Sequence, residues 1–370
     1  MKKIIATTAV LASSVAFAGD YKFNLEGRYD FVNSSAKQGS VEEKYNNFSN
    51  SVIRLNMLAQ VNDQLSFRFR YRYLKSGANP VVTSAFGTVE STRESGQGSQ
   101  IDYLYADYKN QWFTTRFGKQ NWAEAMGREL FPSATDVLVK SQANSDYSSA
   151  FGSDYRAGVS AIFKMDANTL TLAVSNPNTS IADAAGPKME NTGLALGAFY
   201  NGSFMDKLIQ PVFAYQTTKI NGDKDNTDVT KITKDGTNTA MAVGLRSEFS
   251  GFTLDADFKQ VKRENRNSAT TATTLYPELK TTSMMATLAY AYGSLTPWLT
   301  YINDKAEYDD TTTADFKKST MAAGLFWKPM ADVNFRYHLV YASSTKEKDG
   351  TIALTKIEDK KIYLGFKADI

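Results

Sequence analysis

Residues 65–75 read LSFRFRYRYLK. Arg68, Arg70 and Arg72 alternate there with Phe67, Phe69, Tyr71 and Tyr73. Period-two alternation puts the guanidiniums on one face of a strand and the rings on the other. Arginine cannot be titrated off, so such a row is a permanent cationic wall, suited to steering ions and polar solutes. Residues suited to bond making are scarce. The chain has no cysteine, which excludes disulfides and thiolate-held metals. Its single histidine, His338, is too few for a histidine metal cluster. His338 alternates with Arg336 and Val340, and Ser343 and Ser344 follow on the same segment, but no nucleophile elbow or oriented base accompanies them. No enzyme activity and no cofactor is expected.

The elements that must position the arginines begin after an export signal. Lys2 and Lys3 precede the apolar run IIATTAVLASSVAF, and Ala16-Phe17-Ala18 has small residues at both cleavage-site positions. Residues 1–18 therefore read as a signal peptide and 19–370 as one continuous domain. Removing Lys2 and Lys3 from 42 basic side chains leaves 40 against 39 acidic ones, a balance that argues against a nucleic-acid partner. After the signal no run of about 18 apolar residues occurs, so no helix is expected to span a membrane. Barrel strands are only half apolar and escape that test.

Alternating segments fall at about 20–34, 49–61, 65–75, 100–110, 112–120, 154–165, 169–176 and 189–203, then at 207–220, 237–249, 252–263, 280–292, 294–306, 316–328, 333–346 and 357–370. Short turns join alternate pairs: Asn62-Asp63-Gln64, the region of Asn110 and Gln111, Asp166-Ala167-Asn168, Met205-Asp206, Ser250-Gly251, Gly293 and Met330-Ala331-Asp332. Long polar connections such as NGDKDNTDVTKITKDG and RENRNSATTATTLYPE fill the other junctions. This regular exchange of short and long predicts an all-β fold, a transmembrane antiparallel barrel of about 16 strands with short periplasmic turns and long extracellular loops.

The faces agree. Tyr155, Ala157, Val159, Ala161 and Phe163 alternate with Arg156, Ser160 and Lys164, and Phe252, Leu254, Ala256 and Phe258 alternate with Thr253, Asp255, Asp257 and Lys259. Aromatic residues gather near both ends of the segments, as in interfacial girdles: Phe113, Phe163, Phe249, Phe252 and Trp327 near short turns, Tyr71, Tyr73, Tyr155, Tyr215 and Tyr341 near long loops. The rings at 67–73 then face lipid and the arginines face the interior. At about 16 strands that interior is too wide for side chains to fill, so a water-filled channel remains.

With this rhythm the chain resembles the sixteen-stranded general diffusion porins of Gram-negative outer membranes. The most specific local match is TTRFGKQNW (114–122), similar to the strand that leads into a porin's third loop. The resemblance implies that the third long loop, about 121–153, folds into the lumen and sets its acids against an arginine wall. It makes Glu124, Glu129 and Asp136 the loop candidates and Arg28, Arg54, Arg68, Arg70, Arg72 and Arg116 the wall. It also implies passive diffusion of ions and small hydrophilic solutes, an outer-membrane location in contact with its lipid, insertion by the barrel assembly machinery, and a homotrimer latched by the second loop. The tip of the third loop and the terminal Ile370, where such porins commonly have phenylalanine, depart from the pattern and mark a distant member. Two other readings stand beside it: a substrate- or anion-selective porin using the arginine ladder, and a structural or adhesive outer-membrane barrel.

Overall fold

A computed structural model describes residues 20–74, 83–84, 87–88, 100–122, 126–129, 139–151, 155–176, 194–220, 236–264, 278–309, 315–349 and 355–370. The expected signal peptide, Glu124 and Asp136 lie outside the described residues, as do most of the second loop and residues 123–125, 130–138 and 152–153 of the third.

The first half of the chain holds β1 (Asp20–Gln38), β2 (Val41–Gln60), β3 (Leu65–Leu74), the two-residue strands β4 (Thr83–Ser84) and β5 (Gly87–Thr88), β6 (Gln100–Lys109), β7 (Thr114–Asn121), helix α1 (Gln142–Phe151), β8 (Tyr155–Met165) and β9 (Asn168–Ser175). The second half holds β10 (Ala195–Asn201), β11 (Gln210–Ile220), β12 (Gly236–Phe249), β13 (Phe252–Arg263), β14 (Leu279–Tyr290), β15 (Leu295–Tyr308), β16 (Asp315–Trp327), β17 (Asn334–Asp349) and β18 (Thr355–Asp369). Apart from the small β4–β5 hairpin, sixteen strands form one closed antiparallel barrel in which each pairs with its neighbours in the chain. β1 closes the barrel on β18, from Glu26 opposite Asp369 to Gln38 opposite Ile357. Closure removes every free sheet edge, the condition for strands to cross a bilayer.

The short turns follow from their residues. The Asn62 carboxamide oxygen accepts the backbone N–H of Gln64 at 2.9 Å and of Leu65 at 2.8 Å. Asn110 repeats the arrangement with Trp112 at 2.7 Å and Phe113 at 2.9 Å. Each asparagine side chain thus stands in for a backbone carbonyl and reverses the chain. Ser250 and Gly251 turn with φ of 48° and 84°, the doubly left-handed geometry that matches strand twist in a two-residue hairpin.

Large apolar side chains point outward, among them Val243 and Leu245 on β12, Met284 and Leu288 on β14, and Ile362, Leu364 and Phe366 on β18. The opposite face is largely polar, and on it Asn238, Thr281, Ser283 and Asp304 are buried against other side chains. One expectation needs correction. The segment between the first two strands is a long polar loop in the sequence reading, yet β1 and β2 pair all the way to Gln38 opposite Val41. Gly39, at φ 61°, makes the tight turn there, and the pairing converts the loop into a tall hairpin.

Helix α1 belongs to the third loop and lies on the inner wall. Its apolar residues Ala143, Tyr147, Ala150 and Phe151 pack with Met126 onto Ala214, Ala240, Ala242 and Val261 of β11, β12 and β13. Three alanines on the wall leave the room that the helix fills, and burying Phe151 there contributes about 2 kcal/mol. The barrel also caps the helix. The Gln142 N–H donates to Asp304 on β15 at 3.0 Å and the Ala143 N–H to Ser283 on β14 at 3.0 Å, which satisfies donors that a free helix end would leave open.

Candidate functional site

The alternation seen at 65–75 holds in space. Phe67 and Tyr73 are exposed on the outer face, while Arg70 is 7% exposed on the inner one. Antiparallel pairing sets Arg54 of β2 opposite Arg72 of β3. Like charges so placed repel, and a carboxylate must sit among them. That carboxylate is Asp102 of β6, which is fully buried. Its oxygens lie 3.1 Å from Arg70 Nε, 3.0 Å from Arg72 Nη2 and 3.5 Å from Arg54 Nε. Arg70 and Arg72 also donate to the Tyr155 hydroxyl at 2.6 and 3.0 Å. Arg54 reaches Glu26 at 3.5 Å, and the other Glu26 oxygen lies 3.5 Å from Lys367. Among the described residues, four cations thus share two carboxylates, an excess of positive charge on this part of the wall.

Asp102 escaped the sequence reading for a local reason. Strict alternation along IDYLYADYK places Tyr103, Tyr105 and Asp107 inward and Asp102 outward. The β3–β6 register slips between Arg70, opposite Tyr103, and Tyr71, opposite Ile101, so Asp102 has no partner in the ladder. An unpaired bulge residue is re-aimed, and Asp102 turns into the barrel.

The other wall candidates have separate partners. Arg116 binds Asp107 across the β6–β7 pair with two hydrogen bonds of 2.7 and 2.8 Å and lies 4.0 Å over the Tyr105 ring. Arg28 binds Asp30 at 2.6 Å, and the second Asp30 oxygen meets His338 Nε2 at 2.6 Å. Arg68 stacks over Tyr103 at 4.6 Å and has no ion pair among the described residues. Side-chain exposure separates the candidates: 26% for Arg116 and 17% for Arg28, but 9% for Arg54 and 8% for Arg70. Arg28 and Arg116 meet water, whereas Arg54 and Arg70 act from behind it.

β13 stands eight strands from β3 in either direction around the ring, directly across the lumen. It carries Asp255, bound to Arg246 by two hydrogen bonds of 2.7 and 2.8 Å, and Asp257, whose carboxylate accepts the Arg128 backbone N–H. Lys259 lies between Glu129 of the loop and Asp257, 3.6 Å from the latter. One ammonium therefore serves two carboxylates. Gly127, at φ 90°, lets the loop lie this close, since a Cβ there would come within 2.7 Å of Lys259 Cε.

The expected role of Glu129 is corrected by this geometry. The resemblance sets its charge against the arginines, but its side chain is fully buried, paired with Lys259, and accepts a 2.7 Å bond from the Ser141 hydroxyl. Burial alone would raise its pKa. The Lys259 charge and the bonds from Lys259 and Ser141 outweigh burial and hold it below the ordinary glutamate value. Asp146 of α1 behaves oppositely: burial pushes its carboxyl up, against the hydrogen bonds from Thr281 and Gln142. The carboxylates that β13 itself supplies, Asp255 and Asp257, occupy the position expected of the loop acids. Their strand is the HPHP pattern FTLDADFK, which signalled inward charge but not its place around the ring.

Arg156 of β8 was likewise legible only as an inward residue. It is 2% exposed, donates to the Tyr147 hydroxyl at 2.7 Å and to Gln216 Oε1 at 2.5 Å, and lies 4.3 Å over Trp122. Through Tyr147 and Gln216 it ties α1 to the wall.

The profile of a family described as Gram-negative porin matches residues 6–345. Among solved structures, the outer membrane channel DcaP of Acinetobacter baumannii superposes with a TM-score of 0.65 at 13% identity, over 95% of this chain and 97% of that one. The anion-selective porin from Comamonas acidovorans gives 0.63 at 10% identity, over 95% and 100%. A trimer form of in-vitro folded OmpT, an outer membrane protein of Vibrio cholerae, gives 0.57 at 11%, over 94% and 99%. At these identities the likeness is one of fold. No curated protein sequence matches the chain. A closed sixteen-stranded barrel with apolar outer and charged inner faces, matched over most of its length by one family profile, places this chain in the Gram-negative porin family, as a diffusion channel of the outer membrane.

Proposed function

We propose that the channel is a general porin whose lumen carries a transverse electric field, passing ions and small hydrophilic solutes by passive diffusion. The observation that carries this reading is the opposition of two unlike walls. Among the described residues, four cations share Asp102 and Glu26 on one side, whereas on the other the carboxylates of Glu129, Asp255 and Asp257 are balanced by Lys259, Arg246 and Arg128. Water crossing between them is oriented, and a solute with a dipole replaces that water more readily than an apolar one. Arg28, Arg72 and Arg116 are the wall residues a solute would meet, while Arg54 and Arg70 set the field. Arg68 belongs with them through Tyr103.

A preference for anions is the second reading, favoured by the excess of cations around Asp102 and in keeping with the anion-selective fold relative. A homotrimer is in keeping with the trimer form of OmpT. Export by a cleaved signal peptide at 1–18, contact with outer-membrane lipid and insertion by the barrel assembly machinery belong to the same reading.

Single-channel current of the refolded protein in a planar bilayer under a salt gradient tests this. Ohmic steps with weak selectivity support the general porin. A strong anion preference that collapses in Arg68→Ser/Arg70→Ser moves the reading to an anion channel. A folded barrel without conductance overturns both.

A further inference from the structure

A second concentration of positive charge lies on a part of the wall that neither the arginine cluster nor β13 uses. A pocket of about 50 Å³ opens between the third loop and strands β16, β17 and β18. Its polar lining comprises Lys140 of the loop, Lys318 and Thr320 of β16, Ser344 of β17, and Asp359 and Lys361 of β18. The register explains why they meet. Thr320 pairs with Ser344 and Ser344 with Asp359, which gives a polar row across three strands, and alternation puts Lys318 and Lys361 two residues away on the same face.

Three features of this pocket lack an internal explanation. Lys318 stands directly opposite Lys346 in the ladder, a like-charge pairing that costs stability. Lys346 lies 3.7 Å over the Phe316 ring, but Lys318 and Lys140 have no ion pair among the described residues. Thr320 is 4% exposed, and its Oγ1 has no hydrogen-bond partner among the described residues. Buried hydroxyls are nearly always bonded.

The carboxylates nearby cancel only part of the charge. Asp359 is 3.0 Å from Lys361 and accepts from Ser34 at 3.5 Å, so it offsets one lysine of three. Asp304 faces Lys318 across the β15–β16 pair and attracts it electrostatically, but its Oδ1 accepts from Ser283 and the Gln142 N–H, and no ion pair within contact distance joins it to Lys318 among the described residues. What fits such a place is a compact group with several acceptor oxygens and negative charge, able to accept hydrogen bonds from the Thr320 and Ser344 hydroxyls and to sit between ammonium groups. The volume suits a body of four or five heavy atoms, a few waters in size.

We propose that this pocket binds a small oxyanion, phosphate or a short carboxylate, as a resting place on the lumen wall for anions in transit. The inference rests on the barrel being a water-filled channel, which gives the ion access.

The test is calorimetric titration of the folded, detergent-solubilised full chain with inorganic phosphate and, separately, with acetate, at neutral pH and low salt. Saturable binding with a dissociation constant below about 10 mM is expected for at least one of them. Phosphate alone assigns a tetrahedral oxyanion and acetate a carboxylate, and binding of both means that the pocket reads charge and oxygens alone. Lys318→Gln should weaken binding about tenfold, through loss of a charge-assisted bond, and Thr320→Val about threefold. Lys140→Gln, in the loop rather than the barrel, should weaken it too and serves if a strand variant fails to fold. Lys356→Gln, an exposed lysine paired with Glu358 at 2.9 Å, should bind as wild type does. No heat from either anion, or wild-type affinity in all three pocket variants, overturns the proposal. Binding is read here without conduction. A barrel that binds phosphate but passes no current would refute the porin reading and leave the site, and a conducting barrel without binding would do the reverse.

Discussion

Glu129, on the third loop, and Lys259, on β13, form a buried ion pair inside the barrel, with both side chains almost wholly shielded from water. Ser141, which opens helix α1, bonds to the same carboxylate through its hydroxyl, so one side chain joins two described parts of the loop to the wall. Charge placed this way is sensitive to loss of either partner, because the survivor is left uncompensated in a low-dielectric setting.

Glu129→Gln should therefore release the loop rather than the barrel. Lys259 keeps only Asp257, at 3.6 Å. The substitution is expected to cost about 3 kcal/mol of docking. Single-channel conductance should rise, with gel mobility of the folded barrel unchanged. A conductance equal to wild type would mean that the apolar face of α1 holds the loop unaided.

The pH dependence follows from the same group. Glu129 has a folded-state pKa below its ordinary 4.5, so its contribution is fully present above that value and lost as pH falls through the depressed one. Asp146 is shifted the other way, upward from 3.8, so protonation favours its docked state and acidification first relieves a strain on α1. Conductance should hold steady as pH falls from neutrality to the ordinary glutamate value of 4.5 and change only below it. Recording across that range, with Glu129→Gln as the variant lacking the acid transition, checks both signs.

Asp102→Asn should act on the opposite wall. It leaves Arg54, Arg70 and Arg72 crowded without their shared counter-charge. A loss of about 3–5 kcal/mol in barrel stability is expected. Urea unfolding followed by tryptophan fluorescence measures that loss, and the reversal potential of whatever folds should move toward anions. An unchanged potential would show that the Asp102 charge is not felt in the lumen.

Ala242→Leu tests whether small wall residues make the seat for α1. Ala242 is fully buried under the helix, and extra methyl groups there force overpacking worth about 1–3 kcal/mol. Proteolytic cutting within residues 139–151 should quicken while the strands stay protected. Equal cutting rates would place the tolerance in the helix rather than the wall.

Lys140, Lys318 and Thr320 show how far a linear pattern reaches. Each of the two strand residues lies on an inward position of an alternating segment, so their facing was readable. Their meeting with a loop lysine was not, because it depends on where the third loop lies.

What the amino-acid order determined by itself is the local and periodic part of this protein. Alternation of apolar and polar residues sets which side of each strand meets lipid, and Asn62, Asn110 and the Ser250-Gly251 pair reverse the chain through side chains and φ values of their own. Sixteen strands and their antiparallel order follow from those signals because each strand pairs with its chain neighbours. Tertiary structure alone decided the rest. Asp102 faces inward only because the β3–β6 ladder slips by one residue, residues 35–38 and 41–48 are strand only because β1 and β2 pair along them, and Glu129 is neutralised only because β13 brings Lys259 beneath it. Each of these depends on a partner far away in the chain, and periodicity within one segment carries no record of that partner.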